Sequence, residues 1–408
     1  MRHLVSLIAV VFMMVPAYAQ QKPKVRAITA FVELDHARYQ QQVHDTLAFL
    51  HAAKAAFEKR GYEMESVRIT TQQFPGVVKG LPREEALAYL RSYDQLAQKE
   101  NFDTSLGPPN LGDAADPVMT QLMAEALAST KVLETSIIIG GRDGIHWKAI
   151  EDAARVIKYL EEHSPHSQAN FNFSATAMLA PLAPFYPGSY HTGAGHQFAI
   201  GLESANVVSE AFEGTSVMHR ELALAKLQER LGGFAKDIEA EAQAIAARSG
   251  WSYAGLDLSP APLKDVSIGA AIEKMTRARF GSSGTMSAAG AITAALKAIP
   301  VKQVGYSGLM LPILEDSLLA RRWSEGTISL DSLLAYSAVC GTGLDTVPLP
   351  GEISEEQLRR ILADVATLAF KWHKPLSARL LPVAGKKAGE RTEFDDPFLV
   401  NSTLQPLP

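Results

Sequence analysis

One cysteine, Cys340, is all the thiol chemistry that this 408-residue chain carries. A lone thiol closes no intrachain disulfide, so no disulfide framework holds the fold. No excess of positive charge is present either. Lys and Arg number 39 against 44 Asp and Glu, a formal net charge of −5. No basic face stands out, which argues against nucleic acid as a partner. Beyond the first residues no segment approaches ~20 consecutive apolar residues, the length a membrane-spanning helix needs. Three motifs are missing as well. No Gly-Lys-Ser/Thr follows a glycine-rich loop, no G-x-S-x-G elbow is found, and no repeat recurs at a solenoid period.

The N-terminus is what the composition does supply. "MRHLVSLIAVVFMMVPAYAQQ" has a basic start, an apolar run over Leu4 to Val15, and Ala17-Tyr18-Ala19 in an A-x-A pattern. This predicts a signal peptide over residues 1–19 and a periplasmic or secreted mature protein that leaves the membrane after cleavage. An exported chain with one cysteine is unusual. Cys340 is then buried, paired with another chain, or reactive.

With 47% hydrophobic and 20% charged residues, the chain is long enough for a large core. Strand-like and helix-like segments alternate along nearly all of it. "KVRAITAFVEL", "YEMESVRITTQQF", "KVLETSIIIGG", "QANFNFSATAML", "WSYAGLDLS", "VKQVGYSGLML" and "PLSARLLPV" read as strands. Between them run helical periodicities, the longest from Met218 to Ser249 with Gly232-Gly233 as an expected kink. Ser354 and Gln357 form a capping-box pattern before a helix reaching Lys371. The stretch from Ala180 to Ser204 differs in texture, with three prolines and four glycines. Long irregular segments of this kind are often functional. The alternation predicts a single α/β domain over residues 20–385, followed by a loosely ordered tail over 386–408.

Four stretches carry a resemblance. "GWSYAGLDLSPAP", "GSSGTMSAAGAITAAL", "QVGYSGLMLPILED" and "AYSAVCGTGLDTVPLPG" stand in order between Gly250 and Gly351. In that order and spacing they resemble the domain-of-unknown-function 711 family, also called uncharacterised protein family 0210. "SYHTGAGH" is similar to that family's Phe-His-Gly loop, although Gly195 and His196 stand where an acid usually follows. The resemblance implies a fold like that of pyruvate formate-lyase and other glycyl-radical enzymes, an α/β barrel of two half-barrel sheets with helices outside. It implies no settled activity, and a shared fold is weak ground for shared chemistry.

Candidate site residues follow from the irregular segments. Cys340 precedes Gly341 and Gly343, where backbone can approach a ligand. A thiol beside a base or positive charge is a nucleophile, and a small buried thiol is the blander and favoured reading. A thiyl-radical role is rejected because the glycine loop precedes the cysteine, the reverse of the usual order, and because export removes the activating system. His191 and His196 are candidates for acid–base work. Their spacing fits no tight ligand motif, so no metal is assigned and the cofactor is left unknown. Gly281, Ser282, Ser283 and Thr285 open a helix, and with Gly305 and Ser307 they offer backbone N–H groups to an anion. Asp345 is a further ligand-binding candidate. The reading is an envelope enzyme acting on a small anionic molecule, with a non-catalytic ligand-binding protein as the alternative. Self-association through the long helix is left open.

Overall fold

The computed structural model describes residues 21–193, 195–214 and 220–407. The expected signal peptide lies outside the described residues. The strands are β1 (Lys24–Phe31), β2 (Met64–Gln73), β3 (Asp103–Gly107), β4 (Leu133–Gly141), β5 (Gly144–Ile145), β6 (Phe173–Ala177), β7 (Gln197–Glu203), β8 (Ser252–Asp257), β9 (Gly343–Pro350) and β10 (Leu376–Val383). They form one mixed ten-stranded sheet in the order β8-β7-β1-β2-β3-β4-β6-β10-β9, with β5 a short hairpin on β4. The neighbours β1, β2, β3, β4 and β6 are mutually parallel. The pair β7–β8 runs antiparallel to them at β1, and the pair β9–β10 does so at β6. Helices connect the parallel strands, as βαβ crossovers require.

The ladder does not close. The resemblance implied a barrel, whereas the sheet is open and β8 and β9 are its outermost strands. One irregular segment touches both edges, through isolated bridges Leu256↔Gln303 and Pro312↔Asp345. That segment was expected as a strand, "VKQVGYSGLML". Gly305 and Ser307 take positive φ values of 63° and 42°, which break the extended run.

Alternation along the strands explains the layers. In β2, Val67 and Ile69 pack into the main core, while Arg68 and Thr70 face the other way and are still buried. The same holds in β4 and β6, where apolar Ile137, Ile139 and Ala175 alternate with Ser136, Ser174 and Thr176. The apolar face packs on helices. The polar face is enclosed by irregular chain. Thr70 Oγ1 bonds the hydroxyls of Tyr186 and Ser189, both at 2.8 Å, and Thr29 Oγ1 donates to Pro184 O at 3.1 Å.

The long helix spans Arg220–Ser249 and runs through Gly232-Gly233 as one element. Its Leu227, Leu231 and Ile238 are buried within the main core. Ser354 and Gln357 make the reciprocal capping bonds that the sequence predicts. Within residues 386–408, expected as a loosely held tail, the stretch from Thr392 to Leu404 is docked on the domain. Phe394, Leu399 and Leu404 are buried, and Val400 N–H donates to Leu314 O at 2.7 Å. Three spaced apolar residues were enough to dock a polar-looking segment.

Candidate functional site

A cavity of about 380 Å³ opens on the polar face of the sheet. Strand alternation supplies its walls. Arg26 comes from β1, Arg68 from β2, Asp103 from β3, Glu134 from β4, Ser174 from β6, Arg379 from β10 and Asp345 from β9. Tyr306 and Glu315 enter from the bridging segment, and Tyr186 from the irregular stretch before β7. Phe398, of the C-terminal residues, completes the rim.

Charge is arranged in pairs. Arg379 Nε donates to Asp345 Oδ1 at 2.8 Å, and its Nη2 meets Glu315 Oε1. The other oxygen of Glu315 accepts from Arg26 Nη2 at 3.2 Å, so one carboxylate joins two guanidinium groups. Arg26 Nη1 also reaches Glu203 at 3.3 Å. Arg68 Nε faces Asp103 at 3.3 Å while its guanidinium lies 4.7 Å over the ring of Tyr186. Buried charges survive when paired in this way.

Two acids are held far from their ordinary range. Burial pushes Glu134 up to about 8, with Arg68 pulling the other way and Asp103 adding to the rise. Burial likewise pushes Glu203 up to about 8, helped by the neighbouring Glu65 carboxyl and opposed by Arg26. Burial also raises Asp345, against the pull of Arg379. Such displaced carboxyls cluster at functional sites more often than elsewhere.

The sequence-predicted residues divide sharply. Asp345 lines the cavity. Cys340 lies in the main hydrophobic core, 1% exposed, and its carbonyl accepts from Lys374 Nζ. The turn that holds Gly305 and Ser307 cradles a carboxylate through the N–H groups of Tyr306 and Ser307, and its occupant is the chain's own Asp257. That side chain accepts from the N–H groups of Tyr306 at 2.8 Å and Ser307 at 2.9 Å, and from the Ser259 hydroxyl at 2.6 Å. Gly308 and Gly341 touch, and Gly341 N–H donates to Leu309 O at 2.7 Å, so the GYSG and CGTG turns meet.

The remaining candidates lie elsewhere. His191 is buried, with Nε2 on Gln197 Oε1 at 2.8 Å, and burial lowers its pKa. His196 is exposed and stacks on Trp251 at 4.8 Å. Gly281 packs against the Thr327 carbonyl, and its N–H is bonded by Thr285 Oγ1 at 3.1 Å. Ser282 and Ser283 are exposed. None of His191, His196, Cys340 or the Gly281 loop is among the residues lining the cavity.

Arg26, Arg68, Glu134 and Arg379 were not singled out from sequence. Their signal is a charged residue at an interior position of an otherwise apolar or β-branched strand, as in "KVRAITAF", "LETSIII" and "LSARLLPV". On a one-sided sheet such residues face water, and here the second face is covered.

Fold and site together define an α/β protein with a charged, enclosed cavity on the inner face of an open mixed sheet. The family model described as Uncharacterised ACR (DUF711) matches residues 17–395, and the chain belongs to that family. A "UPF0210 protein" of Pyrobaculum arsenaticum is 31% identical over 363 residues, covering 83% of this chain and 78% of the relative. Namesakes from Desulforudis audaxviator and Lactobacillus helveticus are 29% and 25% identical, over 82% and 93% of this chain and 77% and 90% of their own. These matches correct the reading of an exported envelope enzyme for a small anion. The chain falls in an uncharacterised family shared with archaea and lactobacilli, and the name those relatives carry states neither export nor substrate.

Proposed function

We propose that this protein binds a small polar molecule in the cavity between the inner face of the sheet and the two irregular segments that cover it. The observation that carries this reading is the cavity itself. Its volume of about 380 Å³ lies within the range of small-molecule sites, and charged side chains from seven strands and loops converge on it. The hydroxyls of Ser174 and Thr342 support it further. Both line the cavity, and both are buried without a hydrogen-bond partner. A polar occupant would satisfy them, and an apolar one would leave them costly.

The test is a thermal-shift screen of small polar metabolites against the native chain and Ser174→Trp, which fills the cavity from β6. A genuine occupant at a hundredfold excess over Kd stabilises by about 2.7 kcal/mol and raises Tm. Its effect should vanish in Ser174→Trp. A shift that survives the filled cavity would place the site elsewhere and defeat the reading.

The finer architecture is part of the same proposal. Five parallel strands oppose the antiparallel pairs β7–β8 and β9–β10, and the segment from Gln303 to Asp316 spans the gap between those pairs. This supports two half-barrels of the pyruvate formate-lyase kind, with the bridging segment standing in the place of a tenth barrel strand. The close approach of Gly308, within that segment, to Gly341 supports it too. The likeness concerns architecture. Cys340 lies off the cavity, within the hydrophobic core.

A further inference from the structure

The cavity leaves one carboxylate over. Among the described residues, each guanidinium that lines it already faces an acid: Arg68 faces Asp103, Arg26 faces Glu315, and Arg379 faces Glu315 and Asp345. Glu134 also lines the cavity, and among the described residues it makes neither an ion pair nor a hydrogen bond. The charged groups that face it are Arg68 from β2, Asp103 from β3, Arg379 from β10 and Glu315 from the bridging segment. Tyr186, whose hydroxyl is bonded to Thr70, faces it as well.

We propose that Glu134 is the seat for the ammonium group of a small primary amine, held as an ion pair in the cavity beside β3 and β6. This rests on the cavity being a ligand site and names the class of its ligand. The charge balance favours a cation. Of the other lining charges, Glu65 faces Arg26 at 3.7 Å, Glu100 faces Lys99 at 3.0 Å and Lys54 faces Glu58 at 3.8 Å, so an anion would meet cations that are already compensated, whereas a cation supplies what Glu134 lacks. With no cation beside it, burial raises Glu134 to about 8, so that a proton neutralises it at pH 7. Amine binding therefore displaces that proton. The Oε–H bond breaks, its electron pair stays on the carboxylate, and the proton passes to the buffer.

Isothermal titration tests this with glycine, β-alanine and ethylamine as probes, and with acetate and inorganic phosphate as anion controls. Titrations at pH 7 in two buffers of different ionisation heat count the protons. At least one amine should bind and release about one proton. Its affinity should rise by up to about tenfold per pH unit toward pH 8 and flatten above it. Glu134→Gln should weaken binding at least tenfold at the alkaline end and abolish both the proton release and the pH slope. If that variant does not fold, Glu134→Asp should keep the proton release with weakened affinity. Three outcomes overturn the inference: amine binding without proton release, an unchanged pH slope in Glu134→Gln, or no amine binding at all. Acetate or phosphate binding that Ser174→Trp abolishes would preserve the cavity as a ligand site while rejecting the ammonium.

Discussion

Arg379 shows how much of this site rests on single side chains. It is buried between Asp345 and Glu315, and Glu315 is shared with Arg26. Arg379→Met removes the charge and leaves two buried acids facing one another, which should cost about 3–5 kcal/mol in urea unfolding. Cys340 is the contrasting case. Cys340→Ser puts a hydroxyl into the main core and should cost about 1–3 kcal/mol, while leaving any cavity ligand bound with unchanged affinity. Loss of ligand affinity in that variant would return the thiol to the site. A sequence reader notices the rare residue, and Cys340 drew attention for rarity. Arg379 and Glu134 are common residue types, and what marks them is the face of the strand they occupy. That face is known only once the covering segments are placed.

At the scale of elements, the loop from Gly305 to Gly308 turns a chemical expectation into a structural one. Its backbone N–H groups do hold a carboxylate, and the carboxylate is Asp257 at the end of β8. A Cβ at Gly305 would lie 2.2 Å from Asp257 Oδ2, at a φ of 63°. Gly305→Ala should therefore destabilise by at least about 1–3 kcal/mol, read from the shift in the denaturation midpoint. Most helices were legible because period and caps agree, as at Ser354 and Gln357. Strand β9 was not, since "GLDTVPLP" carries two prolines and begins at a glycine. Prolines are tolerated there because β9 is the outermost strand of the ladder, paired along its length with β10 and meeting the bridging segment near Asp345. Strand β3 was missed for a different reason. It is five residues long, and its Thr104 and Ser105 are buried by hydrogen bonds to Tyr93 and Ser189 instead of by apolar packing.

The whole molecule is a sheet with two buried faces of opposite character. Helices cover the apolar face. Irregular segments and the C-terminal residues cover the polar face, where the cavity lies. The one-domain α/β class was legible from the alternation of elements, and the family from four ordered stretches. The second covered face was not legible, because alternation alone cannot tell water from a polar interior. The polar interior has a consequence for stability. Glu134 and Glu203 rise from ordinary glutamate values to about 8 on folding, so the folded chain binds protons that the unfolded chain has lost. Their contribution is complete below pH 4.5 and is lost as pH rises through about 8. In the absence of ligand, Tm should fall across that window, and Glu134→Gln should reduce the fall. Calorimetry over a pH series reads both.

On the proposed function a small polar molecule occupies the interior of this sheet. A crystal structure with the compound that raises Tm most tests it directly. Electron density for the compound among Arg68, Glu134, Tyr306 and Arg379 is the result expected. Density for it only on the outer surface, with solvent alone between those four side chains, would rule out the interior as the binding site.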